Sequence, residues 1–145
     1  MSGQVTVHCK LPHGLIMRVF GSEDRDEYTG SGGGTRKVKT AIELPQRAIL
    51  NGWSHPQNKA PGCLLVNGFA ITSGVDKDLW DLWLSQNKDS DIVKNGLIFA
   101  HEKEANATAE NKEKAKVRSG LERLDPDNLP NKRIKTDDSA RKQAA

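Results

Sequence analysis

The sequence predicts a mainly β fold: a small β-sandwich, jelly-roll-like or barrel domain with one or two short helices and a long C-terminal helical or extended arm. Three observations predict it. Near the N-terminus, apolar and polar side chains alternate through Val5-Thr6-Val7-His8-Cys9-Lys10, the period of a half-buried strand. Turn-forming clusters such as Pro12-His13-Gly14, Asn51-Gly52 and Asn67-Gly68 recur between such runs. From His101 to Ala145 the apolar supply collapses, leaving no aromatic residue and only Val117, Leu121, Leu124, Leu129 and Ile134 as branched aliphatics.

Taken in order, Gln4 to Lys10 is the first expected strand, with Val5, Val7 and Cys9 facing a core and Thr6, His8 and Lys10 facing outward. Pro12-His13-Gly14 turns the chain, and Leu15 to Phe20 returns as its hairpin partner. Residues 21–34 carry Glu23, Asp24, Asp26 and Glu27 and then Gly30-Ser31-Gly32-Gly33-Gly34, the composition of a flexible polar loop. A strand from Thr35 to Leu44 is expected to stop at Pro45, with a short strand over Arg47 to Leu50 and an irregular loop from Trp53 to Gly62. Cys63-Leu64-Leu65-Val66 and Phe69-Ala70-Ile71 are the two arms of a hairpin about Asn67-Gly68. Asp76 caps a helix reaching about Gln86, with Leu79, Trp80, Leu82, Trp83 and Leu84 as a broad apolar face. Ser90 opens a shorter helix over Asp91 to Lys94, closed by Asn95-Gly96. Leu97 to Ala100 then returns to the interior.

The expected core is Val5, Val7, Cys9, Leu65, Phe69, Ile71, Leu79, Trp80, Trp83 and Phe99. Residues 1–100 make the β-rich domain, and residues 101–145 make a polar arm. That arm begins as a solvent-exposed helix to Arg118, supported by the pair Glu110 and Lys114, and continues as an extended tail.

The chain has 145 residues, 35% hydrophobic and 28% charged, which suits one domain with a small core. Its net charge of +3 comes from 22 basic residues interleaved with 19 acidic ones. Nucleic-acid binders concentrate positive charge on one face or in one run, so charge argues against that class. No stretch approaches the ~20 apolar residues of a membrane span, and Met1 to Lys10 lacks an apolar signal core. Cys9 and Cys63 do not have the spacing of a zinc site, and they read as free, buried thiols of a protein made in a reducing cytoplasm.

The chemistry-bearing residues form no recognised site. His8, His13, His55 and His101 show no metal-ligand spacing and read as surface or turn histidines. Both cysteines fall on the apolar side of expected strands, where thiols are inert. Glu23-Asp24-Arg25-Asp26-Glu27 lacks the alternating ligand pattern of a calcium loop, and no Gly-Lys-Ser/Thr follows the glycine run as in a phosphate loop. Neither a catalytic residue nor a metal or cofactor is expected. Trp80 and Trp83 belong to core packing, whereas Trp53, in a Gly/Pro-rich loop, reads as an exposed anchor at an interface. Leu121, Leu124, Leu129 and Ile134, spaced through a polar tail broken by proline, read as further partner-binding residues that each fill a pocket on a neighbour.

Val5-Thr6-Val7-His8-Cys9-Lys10-Leu11-Pro12-His13-Gly14-Leu15 resembles the opening of small virion structural proteins of tailed bacteriophages. So does the stretch from Gly74-Val75-Asp76-Lys77-Asp78-Leu79-Trp80 through Val93-Lys94-Asn95-Gly96-Leu97-Ile98-Phe99-Ala100. The resemblance implies a capsid cement or decoration protein, located in the virion after synthesis in the host cytoplasm. Its implied partners are major capsid protein subunits and a second copy of itself as a dimer, without membrane or nucleic acid. A head–tail connector or other virion component, or a nucleic-acid-binding accessory protein, is the alternative.

Overall fold

The computed structural model describes residues 3–125 together with 128, 129, 131 and 133. The fold is mainly β, with two antiparallel sheets and three short helices among those residues. A four-stranded sheet has the order β4 (Leu65–Val66), β5 (Phe69–Asp76), β1 (Gln4–Cys9) and β6 (Ile98–His101). A separate two-stranded ribbon is made of β2 (Leu15–Thr29) and β3 (Gly34–Leu50). The helices are α1 (Lys77–Asn87), α2 (Asp91–Lys94) and α3 (Glu104–Glu113).

β1 is the central strand, and this corrects the expected hairpin between β1 and β2. Val7 pairs with Thr72 of β5 on one side and Ala100 of β6 on the other. Both edges of β1 are therefore paired. Val5, Val7 and Cys9 meet α1 and the ribbon base, where Met17, Val19, Leu50, Val75, Trp80, Trp83 and Ile98 complete the main core. The opposite face carries His8 and Lys10, which are buried beneath α3 rather than turned to solvent. Alternation revealed the two faces of β1, but only the packing of α3 decided that the polar face is covered as well.

Two glycines allow the ribbon to leave the sheet. Gly14 has φ +73°, and a Cβ there would lie 2.0 Å from the Leu50 carbonyl oxygen; one on Gly52 would lie 2.2 Å from that of Pro12. The start of β2 and the end of β3 therefore cross the β1 exit with backbone against backbone, which only glycine permits. The Asn67-Gly68 hairpin forms as expected, with both residues at positive φ (52° and 80°), the geometry of the tight turn that follows strand twist.

Residues 21–34 are not a flexible loop. β2 continues through Thr29, β3 starts at Gly34, and their register is unbroken from Phe20 opposite Glu43 to Thr29 opposite Gly34. β3 also continues through Pro45 to Leu50 as one strand, its register shifting opposite Arg18 to Phe20. A proline fits a ladder where its missing donor faces such an irregularity. Cross-strand charge pairing, discussed below, supplies the order that composition alone hides.

α1 begins as expected, with the Asp76 carboxylate accepting from the Asp78 backbone N–H at 2.9 Å. Its Leu79, Trp80 and Trp83 are buried, and the two indoles stack at 5.4 Å. α2 is closed by Gly96 at φ 68°. Of the expected core, Val5, Val7, Cys9, Phe69, Leu79, Trp80, Trp83 and Phe99 are buried, while Leu65 and Ile71 are half-buried because β4 is a two-residue edge strand. α3 belongs to the folded unit: Ala107 and Asn111 are buried against the sheet, so the 100/101 boundary falls inside β6. The expected exposed helix is thus docked by one small and one polar residue, a pattern that no apolar stripe announces.

Candidate functional site

Beneath α3 lies a buried polar cluster. The Asn111 side-chain amide donates to the Val66 carbonyl at 3.2 Å and to His8 Nδ1 at 2.9 Å, while its oxygen accepts from Asn67 Nδ2 at 2.7 Å. The Val66 carbonyl can only accept, so the amide orientation is set, and His8 Nδ1 must be an acceptor in turn. His8 is therefore neutral with its proton on Nε2. Burial pushes its pKa down, His101 lowers it further, and Glu110 opposes both. The ring stacks on Phe99 at 4.9 Å. Glu110 itself receives hydrogen bonds from His101 and Lys114; burial raises its pKa, but those bonds and charges prevail and hold it below the usual carboxylate range.

An open hollow of about 790 Å³ adjoins this cluster, lined by His8, Asn111, Thr6 and Thr108 and by Cys63 from the preceding loop. A cysteine, a histidine and an asparagine beside one hollow invite comparison with a nucleophile, base and orienting residue. The hydrogen-bond directions do not supply that chemistry. The one His8 nitrogen able to take a proton already accepts from Asn111, and the Cys63 thiol lies 3.6 Å from the Gly52 carbonyl oxygen. Cys63 is half-buried in the loop before β4 rather than a core strand residue, because the strand begins only at Leu65. Cys9 is fully buried, and burial pushes its thiol up, which leaves it inert. Among the described residues no group of three or more His, Cys, Asp or Glu side chains is arranged to hold a metal. No described helix is long and apolar enough to cross a membrane.

His8 gives a pH prediction with a definite sign. The unfolded chain protonates this ring at ~6.5, whereas the folded protein protonates it only at lower pH. Between those values the unfolded state holds more protons, so stability is present above pH ~6.5 and is lost as pH falls below it. Denaturant unfolding at stepped pH should show this slope, and the NMR titration midpoint of His8 should lie below 6.5. A midpoint at or above the ordinary value would remove the assignment.

A second feature is the C-terminal segment after α3. Lys10 Nζ donates to the Lys114 and Ala115 carbonyls at 3.2 and 3.0 Å and lies 4.7 Å above the Phe69 ring. Burial of this ammonium lowers its pKa, with Glu122 opposing. The cation bonds carbonyls just past the end of α3 and holds the following chain against the domain. Trp53 is correspondingly not a free anchor. Its indole N–H donates to the Lys10 carbonyl at 2.9 Å, and it shares a shallow hollow with Leu11, Pro12 and Leu121. Leu121 therefore borders its own domain's Trp53, with 59% of its surface still exposed; Leu124 is 61% exposed, and Leu129 is half-buried. Ile134 lies outside the described residues.

The third feature, and the one that sequence reasoning missed, is the ribbon. Beyond its base, residues 22–37 are all exposed, so this part of the hairpin packs on nothing within the chain. Ten residues per strand from Gly21 to Gly30 reach roughly 30 Å. The two strands carry opposite charge: Asp24 faces Lys39, Asp26 faces Lys37, and Glu27 faces Arg36, the last pair joined at 2.7 Å. Each such exposed pair contributes a few tenths of a kcal/mol to about 1 kcal/mol, enough to align the strands but not to make them a hydrophobic unit. The signal was present in the sequence as an acidic run and a basic run at mirror distances from Gly30–Gly33. At the ribbon base, Ile16 and Ile49 sit directly opposite each other and are 46% and 70% exposed, an apolar pair facing solvent.

No protein-family model, curated protein or solved structure matches the chain.

Proposed function

We propose that this chain is a non-enzymatic structural protein of a tailed-phage particle, a cement or decoration protein that binds the capsid shell. In this reading the ribbon base packs on the four-stranded sheet as the second layer of a small sandwich, and the ribbon reaches across to neighbouring shell subunits. The observation that carries the reading is the ribbon itself. A two-stranded hairpin exposed on both faces is marginal alone in water, so a projection of this length is best understood as a binding arm completed by a partner. The exposed Ile16–Ile49 pair and the half-exposed Leu121 offer apolar contacts at its root. Several modest contacts per copy add through multivalency on a repeating shell. The interleaved charge, with Arg36, Lys37 and Lys39 each facing an acid, argues against a nucleic-acid surface.

Quantitative mass spectrometry of purified particles of the encoding virus tests this. A copy number comparable to the shell subunit supports the cement role, and a handful of copies moves the chain to the head–tail connector. Absence from the particle removes the structural reading. A variant with residues 22–41 replaced by a tight turn should keep its fold by circular dichroism and lose incorporation.

A further inference from the structure

We propose that the two edges of the ribbon are complementary halves of one interface, through which a second copy of this chain adds by β-pairing, its basic edge against the first copy's acidic edge. The proposal deepens the structural reading above and rests on it only for its biological setting.

Gln86 of α1 donates to the Phe20 carbonyl at 2.7 Å and accepts from the Phe20 N–H at 3.0 Å. Its amide thus occupies the β2 edge at that residue as a neighbouring strand would. Phe20 therefore points both backbone groups away from β3. In an antiparallel pair this outward orientation recurs at every second residue. The β2 edge then presents Ser22, Asp24, Asp26 and Tyr28, and the β3 edge presents their partners Ala41, Lys39, Lys37 and Thr35. Gln86 stops at Phe20, and all four of these β2 residues are exposed. Open edges of this length are templates for another strand.

Charge then decides which strand. Residues 21–29 of β2 hold four acids and Arg25, a net of −3, and residues 34–42 of β3 hold Arg36, Lys37 and Lys39 with no acid, a net of +3. Two copies joined edge to like edge would set Asp24 and Asp26 against each other, or Lys37 against Lys39. Like charges directly opposite are destabilising. Joined acidic edge to basic edge, Asp24 and Asp26 fall opposite Lys37 and Lys39 of the next copy on the same sheet face, and every charged strand lies between two of opposite sign. Charges on an edge ordinarily prevent strand addition; here they prevent it only for the wrong pairing. Such contact is head-to-tail, so it propagates into a ring or an open row and does not stop at a dimer.

The experiment uses the full chain in sedimentation velocity and native mass spectrometry. Wild type should form assemblies larger than a dimer at low salt and dissociate at about 1 M NaCl, where the screening length falls to ~3 Å. Two edge-blocked variants remove outward N–H groups without touching the inner ladder: Ser22→Pro with Tyr28→Pro, and Thr35→Pro with Ala41→Pro. Each alone should be monomeric, and their mixture should give a 1:1 dimer and nothing larger. A variant that self-associates alone overturns the proposal, as does a monomeric wild type or an assembly indifferent to salt. If circular dichroism shows that the variants have lost the fold, the wild-type salt series decides. A monomeric wild type found in particles at shell stoichiometry would sink the edge pairing and leave the cement reading intact.

Discussion

Replacing Trp83 with alanine is expected to destabilise the protein by roughly 3–5 kcal/mol, the range for removing a buried aromatic side chain and leaving a cavity. Trp83 is 4% exposed and stacks on Trp80 within the cluster that joins α1 to Val5, Val7 and Cys9 of β1 and to Met17 and Val19 of the ribbon base. For a domain of this size the melting temperature should fall by roughly 10–20 °C. Leu82 on the same helix is 39% exposed, so Leu82→Ala serves as the control and should cost about 1 kcal/mol or less. Because Gln86 of the same helix holds the Phe20 peptide, the loss should also loosen the root of the ribbon. Hydrogen exchange read at Val19 and Phe20 checks that second effect. Equal losses for the two variants would mean that the indole pair is not the centre of the core.

Asn111→Leu is expected to lower stability by about 2–4 kcal/mol although the two side chains are close in volume. Leucine offers nothing to the Val66 carbonyl or to His8 Nδ1, both held by the Asn111 amide. A buried polar group that loses its partner costs about 1–3 kcal/mol, and here two lose theirs together. The surrounding network is otherwise complete: no buried side-chain nitrogen or oxygen among the described residues lacks a partner. Thr108→Ala, on the exposed side of α3, removes only a local bond to Glu104 and should stay within ~0.5 kcal/mol. Chemical denaturation of the three proteins measures both values. Burial and His101, which lower the His8 pKa, remain in the Asn111→Leu protein, so its His8 NMR titration midpoint should stay below the ordinary histidine value. A rise to that value would show that the amide, and not burial, sets the protonation.

Local patterns in the sequence were sufficient for several elements. The Asp76 cap, the Leu/Trp face of α1, the Asn67-Gly68 turn and the Gly96 closure of α2 each depend on residues a few positions apart, so neighbouring side chains contain the information. Strand partners do not. β1 and β2 are joined by a turn and still do not pair, because β5 and β6 already occupy both edges of β1. Glu23 to Glu27 and Arg36 to Lys39 look like solvated loop residues when read separately, and become a ladder only when Asp24, Asp26 and Glu27 are set opposite Lys39, Lys37 and Arg36. The buried state of His8 and Lys10 was hidden for a similar reason. A polar residue reads as exposed until another element brings it partners, and those partners, Asn111 and the Lys114 and Ala115 carbonyls, lie about a hundred residues away.

The sequence by itself thus determined that the chain is mainly β, that its apolar side chains are concentrated before residue 101, and where α1, α2 and the Asn67-Gly68 turn lie. Those properties follow from short-range periodicity and backbone preference. The tertiary structure alone decided that α3 is docked on the sheet, that Trp53 is held by the Lys10 carbonyl, and that an acidic and a basic segment make one projecting ribbon with unlike edges. Each of these depends on hydrogen bonds and charge pairs between distant residues, whose strength comes from being brought together by the fold.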